Sequence, residues 1–350
     1  MSAGGAPLLT IRGARFGIRN IPMRMPFRFG VITLTSSAQI HLFLEVETAD
    51  GRRATGLAAD MLAPKWYDKD PDKSYADNLN DLVAGARAAV DAAMSQSGPR
   101  SAYRIWRQTY EACQEAGPAS GRNPLLASNG PSLVERALFD GLGIALGAPY
   151  HTLLRDNLVG IEFGDIHAEL AGVAPRDVIP ARPLDEIHIR HTVGLTDPIR
   201  TADIAPESRL HDGLPQSLEE YIDRQGLRYF KIKVGGNVDE DAERLDEIAA
   251  VLPKDGLTVT LDGNEQYDDP AALEDLLDRL QGGDASTRHL YDAILYLEQP
   301  LDRRVALDAG SAAAVSALSA RKPMVIDESD ETLTTFKEAV AIGYRGVSSK

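Results

Sequence analysis

Lys231 and Lys233 stand two apart in the apolar stretch Tyr229-Phe230-Lys231-Ile232-Lys233-Val234. On a strand, side chains two apart share a face, so both ammonium groups point the same way. Three more short apolar runs each end in a carboxylate: Thr258 to Asp262, Leu295 to Glu298 and Met324 to Asp327. A fourth, Gly346-Val347-Ser348-Ser349, ends in Lys350. Lysine, acid, acid, acid, lysine on successive strand ends is what metal-assisted proton abstraction requires. Asp262, Glu298 and Asp327 offer hard oxygen donors suited to Mg²⁺. A substrate carboxylate bound at that ion has its neighbouring carbon acidified, and the enolate left by proton loss is stabilised electrostatically. A free lysine, with a pKa of about 10.4, is mostly charged at neutral pH, and a second ammonium or a metal cation nearby lowers that value. Lys233, nearer the strand's C-terminal end, is assigned the role of base, and Lys231 that of its electrostatic partner. Lys350 is expected to face the opposite side of the substrate. Two bases on opposite faces permit racemisation or epimerisation; one base with one fixed cation permits cycloisomerisation or β-elimination.

Read singly, these residues have plainer roles. An aspartate at a strand end commonly caps the next helix, and Lys-x-Lys is common on exposed strands. Their order and their setting carry the assignment. From Tyr229 onward the strands recur every 23 to 36 residues with helical patterns between them, which predicts parallel strands with crossover helices. Chemistry at every strand end favours a (β/α) barrel over an open sheet, because barrel strand ends converge on one site. The first strand is placed at His188 to Leu195. Only six strands can be counted from there, so the barrel is expected to be cut before its last strands.

The preceding part of the chain reads as a smaller α+β domain. Strands are expected at Leu8 to Ile11, Ser37 to Thr48 and Arg53 to Leu57, with a hairpin turn at Ala49-Asp50-Gly51. Helices are expected near Tyr75 to Met94, Ala102 to Ala116 and Ser132 to Leu146. Asn129-Gly130-Pro131 is read as the break before the last of these, and Glu135 as its capping-box partner. The segment Pro22 to Gly30 reads as a loop carrying Phe27 and Arg28, of a kind that covers ligands. His191 could reach a substrate if its ring points into the barrel. The domain boundary is placed at 150/151, giving domains 1–150 and 151–350.

The formal charge of -15 argues against nucleic acid and anionic membranes as partners. One cysteine, Cys113, excludes an internal disulfide and a multi-cysteine zinc site. With no long apolar run and no signal-like N-terminus, the expected location is cytoplasmic.

At these residues the chain resembles the enolase superfamily, specifically the mandelate racemase and muconate lactonizing enzyme families. Lys231-Ile232-Lys233 looks like that family's second-strand Lys-x-Lys. Asp262-Gly263-Asn264, Glu298-Gln299-Pro300 and Asp327-Glu328-Ser329 look like its three metal-ligand motifs. Lys350 falls where the muconate lactonizing subgroup carries a sixth-strand lysine. The resemblance implies a modified TIM-like (β/α) barrel with an N-terminal α+β capping domain, Mg²⁺ as cofactor, a small carboxylic acid as substrate and a homo-oligomer. It places Phe27 to Gly30 in the substrate-covering loop, and Asn264, Arg28, Phe27 and His191 are taken as substrate contacts. Gly346 to Ser349 is more polar than that family's usual sixth strand, and 151–186 and 196–215 look longer than typical. The expected activity is racemisation, epimerisation or cycloisomerisation by removal of the proton alpha to a carboxylate. The competing readings are a syn-dehydratase, a Schiff-base lysine aldolase and a family member without catalysis.

Overall fold

A computed structural model describes residues 5–349. Lys350, the sequence's candidate for the opposite-face group, lies outside the described residues. By its contacts the chain divides into two units: one takes the residues through Pro22 together with Ser36–Asp185, the other Met23–Thr35 together with the chain from Glu186 onward.

β1 (Leu9–Phe29), β2 (Ile32–Thr48) and β3 (Arg53–Leu62) form a sheet in that order, with all but the Met23–Thr35 part of the β1–β2 hairpin in the first unit. β2 and β3 pair antiparallel through the Ala49-Asp50-Gly51 turn, where Gly51 N–H donates to Thr48 O at 2.8 Å. Along β2, Ile40, Leu42, Leu44 and Val46 are buried while the residues between them are more exposed. This period of two gives the strand one core face. That face joins one apolar cluster with α1 (Tyr75–Met94), α2 (Ala102–Ala116) and α3 (Pro124–Leu146), through Leu82, Ala86, Ile105, Leu133 and Leu138. Residues 151–185 are largely irregular, and Leu153 and Val159 enter the same cluster. The division therefore falls at Asp185/Glu186, and not at the 150/151 read from the sequence.

Two expectations here are corrected. Pro22 to Phe29 is the continuation of β1 and not a loop. β1 is an edge strand, where proline is tolerated, and Pro22 and Pro26 both sit at exposed positions. Asn129-Gly130-Pro131 does not break a helix: α3 starts at Pro124, capped by Asn123 Oδ1, which accepts from Leu126 N–H at 2.8 Å. Gly130 lets α3 approach α1 closely, since a Cβ there would lie 2.7 Å from the Ala89 Cβ. Glu135 thus sits well inside the helix and caps nothing.

In the second unit six strands lie parallel in sequence order: β4 (Arg190–Val193), β5 (Tyr229–Lys233), β6 (Thr258–Asp262), β7 (Ile294–Glu298), β8 (Met324–Ile326) and β9 (Gly346–Val347). The connecting helices are α4 (Leu218–Gln225), α5 (Val238–Ala249), α6 (Pro270–Gly282), α7 (Ala285–Ala293), α8 (Ala312–Arg321) and α9 (Thr335–Ile342). This is the connectivity of a (β/α) barrel. Each strand has two unlike faces. Phe230, Ile232, Val259, Leu261, Leu297, Met324 and Ile326 pack with Leu245, Ile248, Leu276, Leu277 and Leu318 of the helices in one core. The alternate positions carry Lys231, Lys233, Thr260, Asp262, Tyr296 and Glu298 on the opposite face.

Candidate active site

Register aligns the chemistry. Lys233 pairs with Asp262 across β5 and β6, and Asp262 pairs with Glu298 across β6 and β7. Paired residues of parallel strands point to the same face, so these three form a lateral row at the strand ends. Val325 of β8 pairs with Glu298, and Asp327 follows two residues later on the same side. Lys231, Lys233, Asp262, Glu298 and Asp327 are each 9% exposed or less. Lys231, Lys233, Asp262 and Glu298 are in direct contact, and Asp327 follows on the same side of the neighbouring strand.

The two ammonium groups hold the acids. Lys231 Nζ lies 2.8 Å from Asp262 Oδ2 and 2.6 Å from Glu298 Oε2. Lys233 Nζ lies 2.6 Å from Asp262 Oδ2 and donates to Asn264 Oδ1 at 2.6 Å. Burial alone would lower the pKa of Lys231, but the charges of Asp262 and Glu298 outweigh it and hold the group above its ordinary value. Burial raises the Asp262 carboxyl, yet Lys233 and Lys231 together bring it below the usual carboxylate range. Glu298 is also held low: burial and Asp262 push it up, and Lys231 brings it down. Ser348 Oγ donates to Glu298 Oε1 at 2.8 Å.

Asn264 is expected from the sequence to contact substrate. Here its amide links protein groups, with Oδ1 accepting from Lys233 and Nδ2 donating to Glu328 Oε1 at 2.8 Å. Phe29, at the tip of the β1–β2 hairpin, places its ring centroid 5.7 Å from Lys233 Nζ. The other expected contacts lie elsewhere. His191 pairs with Phe230 and not with Lys231, so its ring is on the helix-facing side, with the Tyr221 ring 4.5 Å away. Burial lowers the pKa of His191 against the opposing charge of Asp197. Phe27 joins it in lining a cavity of about 230 Å³ that also touches Met25 and Tyr221. Arg28 has an exposed side chain, and its carbonyl accepts from Leu195 N–H at 3.0 Å.

Sequence reasoning gave no role to three residues that the structure puts to use. Asp241, on the first turn of α5, accepts from Gly235 N–H, Gly236 N–H and Tyr267 O–H at 2.7, 2.9 and 2.6 Å. It thereby fixes the loop that leaves the Lys233 strand; an acid just after a Gly-Gly pair was the available signal. Arg24 grips Asp212 through two hydrogen bonds of 2.7 and 2.9 Å and ties the hairpin tip to the long loop after β4. Gln299 is taken up below.

Among the described residues, no group of three or more His, Cys, Asp or Glu is arranged ready to hold a metal ion. Lys231 Nζ stands between two of the three carboxylates instead. The donor chemistry nevertheless fits a hard dication: the three acids are buried oxygen ligands at or just beyond adjacent strand ends.

Residues 213–347 match the family model described as enolase C-terminal domain-like. No curated protein matches the chain. Among solved structures, a dipeptide epimerase from Cytophaga hutchinsonii, complexed with Mg and the dipeptide D-Ala-L-Val, aligns with a TM-score of 0.59 at 15% identity, covering 96% of this chain and 69% of that one. An N-succinyl Arg/Lys racemase from Bacillus cereus ATCC 14579 aligns at 0.60 and 17%, covering 97% and 71%. A muconate lactonizing enzyme from Pseudomonas fluorescens, complexed with muconolactone, aligns at 0.56 and 19%, covering 96% and 79%. At these identities the likeness is one of fold: an N-terminal antiparallel α+β capping domain followed by a parallel β/α barrel, as in the enolase superfamily.

Proposed function

We propose that the chain as a whole is an enzyme of the mandelate racemase/muconate lactonizing enzyme type, of the muconate lactonizing-like subgroup. It removes the proton alpha to the carboxylate of a small acid and gives racemisation, epimerisation or cycloisomerisation. The observation that carries this reading is the buried row itself, two lysines and three acids on the one polar face of a parallel sheet. Lys233 takes and returns the substrate proton at Nζ, oriented by Asn264 and Asp262. Lys231 binds Asp262 and Glu298 together and keeps both ionised. Phe29 covers Lys233 and excludes water from the proton path. Asp262, Glu298 and Asp327 would hold Mg²⁺, which supplies positive charge for the substrate oxygen that becomes negative as the proton leaves. Lys350 is assigned the opposite face from its sequence position alone. A homo-oligomer in the cytoplasm completes the reading.

A Schiff-base aldolase is disfavoured at Lys231, because two carboxylates keep that nitrogen protonated and a Schiff base needs it neutral. The test is solvent-deuterium incorporation, read by NMR and mass spectrometry. The protein is incubated in D₂O with Mg²⁺ and a library of N-acyl amino acids, dipeptides, sugar acids and lactone-forming acids. We expect exchange at the alpha carbon, lost with EDTA and reduced at least about 100-fold in Lys233→Ala. Inversion, ring closure or loss of water then separates racemase, cycloisomerase and syn-dehydratase. Metal-independent turnover trapped by borohydride would mark the aldolase, and binding of a metal and an acid without exchange would leave a family member without catalysis.

A further inference from the structure

Gln299 is fully buried and follows Glu298 directly. Its backbone sits at φ +33°, in the left-handed region that side chains other than glycine rarely adopt. Strained backbone persists only where its surroundings over-determine it, and here they do. The side-chain Oε1 accepts from Asp327 N–H at 2.8 Å and from Ser329 N–H at 3.1 Å. Nε2 donates to Ser329 Oγ and to Leu301 O, both at 2.8 Å. The backbone N–H donates to Val325 O at 2.8 Å, and the carbonyl accepts from Glu265 N–H at 2.9 Å. One residue therefore ties together the segments that follow β6, β7 and β8, which directly follow Asp262 and Glu298 and include Asp327.

We infer that Gln299 is a positioning residue that fixes Asp327 against Glu298 and Asp262, and so sets the spacing of the three carboxylates; as a metal-site claim this rests on the function proposed above. Asp327 needs such a device more than the other two acids. Asp262 and Glu298 are the last residues of β6 and β7, whereas Asp327 lies just beyond the three-residue β8. Beyond the end of β8, the Gln299 amide oxygen accepts from the N–H groups of both Asp327 and Ser329.

The test compares the full chain with Gln299→Asn and Gln299→Met. Asparagine tolerates the left-handed backbone, but its side chain is one methylene too short to reach both N–H groups. Methionine keeps the volume and loses the polar atoms. The first readout is amide hydrogen exchange, which needs no metal. We expect residues 327–329 to exchange about tenfold faster in both variants, the weight of roughly one hydrogen bond, while the β2 amides are unchanged. The second readout is binding of Mn²⁺ by electron paramagnetic resonance and of Mg²⁺ by calorimetry. We expect a loss of affinity of about 10- to 100-fold, the usual effect of removing a group that orients a ligand. Ser329→Ala, which removes one contact, serves if the Gln299 variants do not fold, and its loss should be smaller and in the same direction. Unchanged exchange at 327–329 overturns the inference, as does unchanged affinity in a folded variant. If the unaltered protein binds neither ion, the metal reading fails, and the exchange result alone decides the role of Gln299.

Discussion

Lys231 binds two carboxylates that are otherwise enclosed by protein, with Asp262 1% and Glu298 0% exposed. Removing one partner from such a cluster leaves buried charge uncompensated, at a cost of about 3–5 kcal/mol. Lys231→Met should therefore lower stability by that order in urea denaturation without divalent cations, and Mg²⁺ should restore part of the loss by supplying the missing positive charge. A variant equally stable with and without Mg²⁺ would mean that the three acids do not act together. Glu135, in the first unit, makes a separate prediction from pH. Burial pushes its carboxyl up to about 7 against the weaker opposing charge of Arg136. The folded state thus binds this proton more tightly than the unfolded chain does. Its contribution to stability is complete below the ordinary glutamate value near 4.5 and is lost as pH rises through about 7. Glu135→Gln should remove that dependence and raise stability at pH 8, relative to pH 4, by on the order of 1–2 kcal/mol after allowance for its contact with water. Parallel pH–stability curves for the two proteins would refute the assignment.

Elements meet most closely where glycine removes the side chain. A Cβ at Gly56 of β3 would collide with the backbone of Ala137 and Gly141 in α3. Gly56→Ala should cost about 1–3 kcal/mol, at the upper end because backbone cannot step aside. Gly282, in the last turn of α6, has nothing within 4 Å of the same position and no positive φ, so Gly282→Ala should be neutral or slightly stabilising. Denaturation midpoints for the pair test whether close approach, and not glycine content, sets the tolerance. The same distinction explains what the sequence revealed. Amphipathic helices such as Tyr75–Met94 and Ala102–Ala116 were legible to the residue, because one apolar stripe and a serine cap determine each locally. The strand ends were legible because each acid closes an apolar run. Pro22 to Phe29 was not, because a proline-bearing strand is allowed only at a sheet edge, and edge position is a property of the sheet. Pro131 misled for a related reason: packing of Gly130 on α1 holds a helix that local propensity would end. α7 was missed although Asp284 caps it through Ser286 and Thr287 N–H, a signal lost among the preceding glycines. The face of His191 depends on register, which short strands do not announce.

At the scale of the whole chain, the charge of -15 and the buried row make separable demands on cations. A diffuse negative surface attracts any cation and is screened by salt within a Debye length of about 8 Å at physiological ionic strength. A buried set of oxygen ligands binds few ions, with a fixed affinity. Thermal unfolding separates the two. With Mg²⁺ at about 100 times its dissociation constant, a site present only in the folded state adds about 2.7 kcal/mol. For a unit of this size, each kcal/mol moves the midpoint by about 2–4 °C, so a rise of about 5–10 °C is expected over NaCl of matched ionic strength. Each unit has its own apolar core, so calorimetry can resolve two transitions. Only the transition of the unit that carries Asp262, Glu298 and Asp327 should then shift. Asp327→Asn should abolish the Mg²⁺-specific rise and leave the general salt effect intact. A rise that NaCl reproduces, or that survives in Asp327→Asn, would assign the cation effect to the surface and leave the three acids to the lysines alone.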